Sequence, residues 1–232
     1  MSTNKGILYE NKINKKLKAA KIQKPSFQSA GSDSNAPDAM LTLKNVDYKV
    51  EVKLDLKVDF GQGSLDYDLN KKKWKLGGAE TESAIQMREF LTTIGVPAIV
   101  NRKWGPKGAP RKFTVPLKLF KPIDVRHDYA RFTDQFVKVD PDAVSKYYAS
   151  KKTYYIQIGG YGLYYMGKDP AKLGVPEFNP DLRLRIRLKR GGSVPIYNYR
   201  FTTALQATRL DKSDYDLDDN DFLKALAARN TK

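Results

Sequence analysis

The spacing of apolar and polar positions predicts a helix at the start of the chain. Between residues 4 and 24, Ile13 and Leu17 recur at helical spacing, and Pro25 ends the pattern. Glu10 precedes Ile13 by three residues and therefore falls in line with the apolar stripe. The pattern predicts a carboxylate that is directed inward and needs a partner. The alternative is a Glu at the edge of the stripe that reaches solvent near the helix start.

A strict two-residue alternation then predicts a β-hairpin. Residues 39–43 are apolar enough to be buried on both faces, and residues 48–60 alternate between apolar and polar side chains. Residues 44–47 form the predicted turn. Glu51 and Lys53 lie two residues apart on the polar face, so they point to the same side of the sheet.

The strand pairing decides whether an acid from the first strand joins these two residues. If Leu43 pairs with Tyr48, Asp38 lies opposite Lys53 and on the polar face beside Glu51. A slip of one residue would move Asp38 to the other face of the sheet. The predicted cluster therefore depends on the register of the hairpin.

The rest of the chain shows weaker patterns. They predict a helix over residues 79–94, strands over 96–100 and 115–123, a helix over 126–151 broken at Asp140-Pro141, hairpins around Gly159-Gly160 and Gly191-Gly192, and an acidic tail over 211–232. We expect this tail to fray, with the alternative that it contacts a partner or covers a basic groove. Trp74 and Trp104 lie in basic segments predicted as loops, where their rings could stack on unpaired bases or simply pack.

The charge balance favours a polyanionic partner. The 232 residues contain 42 Lys and Arg against 26 Asp and Glu, which gives a net charge of +16. Because 41% of the residues are hydrophobic, the chain can also form a substantial core. A polyphosphate such as nucleic acid is the leading candidate partner, and the alternative is a basic protein that binds nothing acidic.

The chain contains no Cys and one His, which excludes several kinds of catalytic and metal site. Disulfides, Cys-based zinc sites and thiol catalysis are excluded, and nucleases built on clustered His are disfavoured. Carboxylates and a hard cation should carry any catalysis. No apolar run approaches the ~18 residues of a membrane span, and the N-terminus has no apolar signal core. We therefore expect no membrane association and an intracellular, cytoplasmic location.

The motif at the predicted hairpin resembles that of the PD-(D/E)xK nuclease superfamily. The residues that carry the resemblance are Pro37, Asp38, Glu51, Val52 and Lys53. Several members of the superfamily carry a further Glu on the first helix, and Glu10 matches that place. The alternative is a solvated hairpin face on which Glu and Lys form cross-strand pairs.

The resemblance implies a fold of the α/β (α+β) class. It predicts a restriction-endonuclease-like αβββαβ core with a mixed sheet within residues 1–101. Residues 102–210 would form a basic, β-rich C-terminal extension that contributes to DNA binding, and residues 211–232 an acidic tail.

The resemblance also implies metal-dependent hydrolysis of DNA. Asp38 and Glu51 would hold Mg²⁺ together with the backbone carbonyl of Val52, and Mn²⁺ would substitute for it. Lys53 would orient the attacking water or stabilise the developing charge. Glu10 would ligate a second metal ion or its water.

Three basic regions are candidates for contacts with the DNA backbone. Their residues are Lys71, Lys72, Lys73 and Lys75, then Arg102 and Lys103, and finally Arg183, Arg185 and Arg187. An alternating Arg strand is also typical of the wet face of an antiparallel sheet.

Two classes of function follow from these observations. The first is a metal-dependent DNA nuclease. It would be a restriction-like endonuclease, for which a homodimer would cut both strands, a resolvase of branched junctions, or an enzyme that acts at a DNA end. The second is a non-catalytic basic DNA-binding or virion-associated protein in which the acidic motif is coincidental.

Overall fold

The computed structural model describes residues 4–29, 36–190 and 198–230. Contacts divide the chain into two compact units. The first comprises residues 1–58, 140–182 and 207–232, and the second comprises residues 59–139 and 183–206. The boundary predicted at residue 101 thus falls inside the second unit, and the acidic tail belongs to the first.

The described residues contain both helices and strands. Their order is α1 (Lys5–Ala19), β1 (Ala39–Leu43), β2 (Val46–Lys53), β3 (Gly61–Asp68), β4 (Lys73–Gly77), α2 (Glu82–Thr93), α3 (Val96–Trp104), α4 (Arg111–Thr114), α5 (Pro122–Arg131), β5 (Gln135–Val139), α6 (Pro141–Ser150), β6 (Thr153–Ile158), β7 (Gly162–Tyr165), β8 (Asp181–Arg190), β9 (Tyr199–Arg209) and α7 (Asn220–Asn230). None of the helices in the described ranges is long and apolar enough to cross a membrane.

The first unit contains a mixed four-stranded sheet in the order β1-β2-β6-β7. Strands β2 and β6 pair in parallel, whereas β1–β2 and β6–β7 are antiparallel. Helices α1 and α7 pack on this sheet through buried side chains that include Ile13, Leu17, Leu223 and Leu226. The mixed α+β class is confirmed, and the parallel β6 shows that the sheet is completed by residues far beyond position 101.

Helix α1 is shorter than predicted. The Asn4 side chain caps it by accepting a hydrogen bond from Gly6 N at 3.0 Å. The helix ends at Ala19 because Lys21 adopts a left-handed conformation (φ 57°), which lets Ile22 N bond back to Leu17 O at 3.1 Å.

A two-residue turn sets the register of the β1–β2 hairpin. Lys44 (φ 49°) and Asn45 (φ 62°) both have positive φ, as a type I′ turn requires, and Leu43 pairs directly with Val46. The predicted four-residue turn, with Leu43 opposite Tyr48, is therefore wrong by two residues.

The consequence for Asp38 is small because side chains alternate with a period of two. Ala39 pairs with Val50, so continuing the ladder by one step brings Asp38 opposite Glu51 rather than opposite Lys53. A shift of two residues keeps Asp38 on the face predicted for it.

Strand β2 ends at Lys53, not at residue 60 as the alternation predicts. The Asp55 carboxylate accepts a hydrogen bond from Lys57 N at 2.7 Å, which turns the chain. Beyond this point the Lys53 carbonyl accepts a hydrogen bond from Gly159 N at 2.9 Å. A Cβ at position 159 would lie 2.1 Å from the carbonyl oxygen of Leu54, so glycine is required for this close approach.

The second unit contains a five-stranded sheet in the order β4-β3-β9-β8-β5. The strand predicted over residues 96–100 is wrong, because these residues begin helix α3. Val96, Val100 and Trp104 recur every four residues and are all buried, and Pro97 is pre-organised for the first helical turn. The exposed loops predicted around the tryptophans are also wrong. Trp74 and Trp104 are buried against each other, with ring centroids 5.1 Å apart.

Several of the later predictions need correction, and others are confirmed. The strand predicted over residues 115–123 is replaced by the 3₁₀ turn Leu117–Leu119 and the start of α5. The single broken helix over 126–151 becomes α5, β5 and α6, with the break at Asp140-Pro141 confirmed as the start of α6. The hairpin around Gly159-Gly160 is confirmed as β6–β7, whereas Gly191-Gly192 lies outside the described residues.

The C-terminal tail is part of the core of the first unit, so the expectation that it frays is wrong. Leu217 and Leu226 are fully buried, and helix α7 contacts strand β1. Acidic residues dominate the sequence before α7, and the apolar positions that predict burial begin only at residue 217.

We therefore expect Leu226→Ala to lower the free energy of unfolding by about 2–4 kcal/mol, because it leaves a cavity in a packed core. Leu8→Ala, on an exposed face of α1, is the matched control and should change it by less than about 0.5 kcal/mol. Urea titrations of the two variants measure the difference, and equal stabilities would contradict the packing of the tail.

Candidate active site

Asp38 is held from two sides at the entrance to strand β1. Its Oδ2 accepts a hydrogen bond from Val52 N at 2.9 Å. Its backbone carbonyl accepts a hydrogen bond from the Asn14 side-chain amide at 2.8 Å. The first contact ties the carboxylate to the middle of the motif strand, and the second ties the residue to helix α1.

Asn14 connects Glu10 on helix α1 with Asp38 before strand β1. Its side chain is buried on α1 and also donates to the carbonyl of Glu10 at 2.9 Å. Gln23 donates to Asn14 Oδ1 at 2.7 Å, which fixes the orientation of the amide. Glu10 therefore sits one turn from an anchor that holds Asp38, and it is partly buried as the apolar stripe predicts.

Glu51 and Lys53 form an ion pair on strand β2. Their side chains are only 14% and 18% exposed, respectively. The Tyr148 side chain, which is fully buried, also hydrogen-bonds to Glu51. The two motif residues thus lie on the same face, as predicted from their spacing, and they neutralise each other.

The other two carboxylates of the cluster, those of Asp38 and Glu10, have raised pKa values, so their ionisation is disfavoured. Burial, and then the charge of Glu51, raise the pKa of Asp38 to about 6. Burial, and then the charge of Asp38, raise the pKa of Glu10 to about 7. These carboxylates lie near enough to sense each other and Lys53.

Glu51 and Lys53 behave in the opposite way. Burial would raise the pKa of Glu51, but Lys53 and then Lys151 outweigh it, so the pKa is lowered. Burial would lower the pKa of Lys53, but Glu51 and then Asp38 outweigh it, so the pKa is raised. The cluster therefore contains the charged Glu51–Lys53 pair. It also contains two further acids, Asp38 and Glu10, whose negative charges are not balanced by nearby cations.

Two residues of the cluster were missed from the sequence: Tyr148 and Lys151. The Lys151 ammonium lies over the rings of Tyr147 and Tyr148, 5.5 and 5.6 Å from their centroids, and its charge acts on Asp38 and Glu51. Helix α6 brings them there because β6, which follows it, pairs in parallel with β2. No spacing within the motif points to residues so distant in the chain.

The donor atoms suit a hard divalent cation. Carboxylate oxygens are the ligands that Mg²⁺ prefers, and the unbalanced negative charge of Asp38 and Glu10 favours a cation beside them. Across the described ranges, no group of three or more His, Cys, Asp or Glu side chains is arranged as a ready-made metal site. Because Lys53 already pairs with Glu51, a metal ion would compete with that ammonium for the Glu51 carboxylate.

The basic residues predicted to contact DNA all lie in the second unit. Those of the β3–β4 turn, of strand β4 and of α3 are exposed: Lys71, Lys72, Lys73, Lys75, Arg102 and Lys103. The Arg residues of β8 have partners within the unit. Arg185 pairs with Asp134 at 2.6 Å, Arg187 pairs with Asp59 at 3.0 Å, and Arg183 lies over the ring of Phe136. The exposed lysines of the β3–β4 turn are thus better placed to meet phosphates than the Arg strand, whereas Lys75 lies 3.9 Å from Asp68.

Comparison with known proteins adds no family to this picture. No family model matches the chain, and neither does a curated protein or a solved structure. The geometry of Asp38, Glu51, Lys53 and Glu10 is therefore what identifies the candidate site.

We predict that Asp38→Asn stabilises the metal-free protein at pH 8 by about 1–2 kcal/mol. The folded-state pKa of Asp38, about 6, lies above its ordinary value of 3.8, so the folded protein binds more protons than the unfolded chain between these values. Stability is therefore lost as the pH rises through this range, and neutralising the side chain restores it. Asn keeps an oxygen that can accept from Val52 N.

Chemical denaturation at pH 4 and pH 8 in EDTA tests this expectation. Asp47→Asn on the same hairpin is the control, because a hydrogen bond from Lys24 lowers the pKa of Asp47 and its neutralisation should bring no gain. A loss of stability in Asp38→Asn at pH 8 would instead assign Asp38 a purely structural role.

Proposed function

We propose that the protein is a metal-dependent endonuclease that hydrolyses DNA phosphodiester bonds. The observation that carries the proposal is the cluster itself: Glu10, Asp38, Glu51 and Lys53 come from a helix and a hairpin into one partly buried site. An acid with a raised pKa beside a specific charge partner is typical of functional sites.

The architecture of the first unit supports the resemblance to the PD-(D/E)xK superfamily. A helix, an antiparallel hairpin with the motif, a second helix and a strand parallel to the hairpin follow in order as α1, β1–β2, α6 and β6. In this proposal the restriction-endonuclease-like core is formed by the first unit, whose residues precede and follow residues 59–139 in the sequence, rather than by residues 1–101.

The residues of the cluster would share the chemistry as follows. Asp38 and Glu51, with the carbonyl of Val52, would hold Mg²⁺ or Mn²⁺, and Glu10 would hold a second ion or its water. The ion, when bound, lowers the pKa of a water molecule and polarises the phosphate. Lys53, once the metal takes its place at Glu51, would donate to the attacking water or to the phosphate oxygen that gains charge.

DNA is the proposed substrate because of the net charge of +16 and the exposed lysines of the β3–β4 turn. A restriction-like enzyme would act as a homodimer, since one such site cuts one strand, and a junction resolvase would likewise cut paired strands. A second candidate, a non-catalytic basic DNA-binding or virion-associated protein, is favoured by the Glu51–Lys53 ion pair, which is complete without a metal.

We predict that Lys53→Ala and Asp38→Ala each lower the rate of plasmid nicking in Mg²⁺ at least about 100-fold while DNA binding persists. Lys57→Ala is the matched control, because Lys57 is an exposed lysine four residues beyond Lys53 and lies outside the cluster. Supercoiled plasmid incubated with and without Mg²⁺ gives the rates. Wild-type protein without activity on any DNA form, or full activity in either variant, would sink the assignment.

A further inference from the structure

A cleft of about 430 Å³ lies beside the candidate active site in the first unit. It opens along helix α1 and the segment that follows it. Its described lining residues are Asn11, Asn14, Lys15, Lys18, Phe27, Gln28 and Ser29. A volume of this size is within the range of about 300–1,000 Å³ that is typical of small-ligand sites, and it suits one nucleotide.

One residue, Asn14, connects the cleft with the candidate active site. Asn14 lines the cleft, and the same side chain donates to the carbonyls of Glu10 and Asp38. Both of its polar ends are occupied, because Gln23 donates to its oxygen. Asn14 thus contacts both the cleft and the backbone that carries Glu10 and Asp38.

The lysines of α1 fall into two groups. Lys12 and Lys16 form ion pairs with Asp218, which neutralises that flank of the helix. Lys15 and Lys18 line the cleft, and its described lining contains no acidic side chain. Lys18 donates to the carbonyl of Phe27 at 2.8 Å, a neutral acceptor that leaves its charge uncompensated.

The cleft also offers an aromatic surface. Phe27 is only partly buried, and its backbone is fixed by Lys18 and by a hydrogen bond from Phe27 N to Lys24 O at 3.0 Å. Positive charge next to an aromatic ring is the combination that binds single-stranded nucleic acid, in which a base face is free to stack. In a duplex the base faces are covered by their neighbours.

We propose that this cleft binds one nucleotide of an unpaired polynucleotide strand, with its phosphate on Lys15 and Lys18 and its base on Phe27. The strand would continue past Asn14, so that the neighbouring phosphodiester reaches Asp38 and Glu51. The direction of the strand into the cluster rests on the proposed nuclease function, but binding in the cleft does not. The substrate is accordingly a nucleic acid with an unpaired segment at the cut, such as a flap, a frayed end or the branch of a junction.

Fluorescence anisotropy in EDTA tests the cleft apart from catalysis. Labelled probes would be oligo-dT and oligo-rU of about eight nucleotides, and a blunt duplex. We expect Phe27→Ala to weaken binding of oligo-dT about tenfold, and Phe27→Tyr, which keeps the ring, to bind within about twofold of wild type. Lys15→Gln should weaken binding and flatten its salt dependence, whereas Lys224→Gln, an exposed lysine of α7, should do neither.

The pattern across probes decides the proposal. Affinity for the duplex should stay within about twofold in Phe27→Ala. A similar loss for oligo-rU would show that the sugar is not read, and a loss confined to oligo-dT would assign the site to DNA. Unchanged binding of oligo-dT by Phe27→Ala, or an equal loss for duplex and single strand, would overturn it. Loss of single-strand binding in a protein that cuts no substrate would leave the cleft standing and remove the nuclease function.

Discussion

The pair of hydrogen bonds that hold Asp38 connects the elements on which the site depends. Val52 N fixes its carboxylate to the motif strand, and the Asn14 amide fixes its backbone to helix α1. Without these contacts, the residue before β1 would have no defined place relative to Glu10 or Glu51. The register of the type I′ hairpin supplies the alignment that makes both contacts possible.

The charge of the site follows from that alignment. Glu51 and Lys53 neutralise each other, Lys151 adds positive charge from the end of α6, and Asp38 and Glu10 still have raised pKa values. Energy stored in unfavourable ionisation is typical of sites that bind a cation or a charged transition state. An acid with a purely structural role would lower stability when it is replaced, whereas the raised pKa of Asp38 predicts a gain, and for this reason the pH dependence of folding bears on function.

The motif could be predicted from the sequence, but its surroundings could not. Glu51 and Lys53 share a face because a strand has a period of two, and this survives an error of two residues in the register. Tyr148 and Lys151 reach the site only because β6 pairs in parallel with β2, although residues 59–139 separate these elements in the sequence. Residues 96–100 are too few for their spacing to distinguish a strand from a helix, and it is the burial of Trp104, four residues beyond Val100, that marks the helix.

Mn²⁺ titration followed by electron paramagnetic resonance tests, without reference to any substrate, the proposed binding of a divalent metal ion by the Asp38 cluster. We predict that the wild-type protein binds Mn²⁺, that Mg²⁺ competes for the same site, and that Asp38→Asn weakens binding at least about tenfold while remaining folded. Equal Mn²⁺ affinity in wild type and Asp38→Asn, or no binding by either, would contradict it.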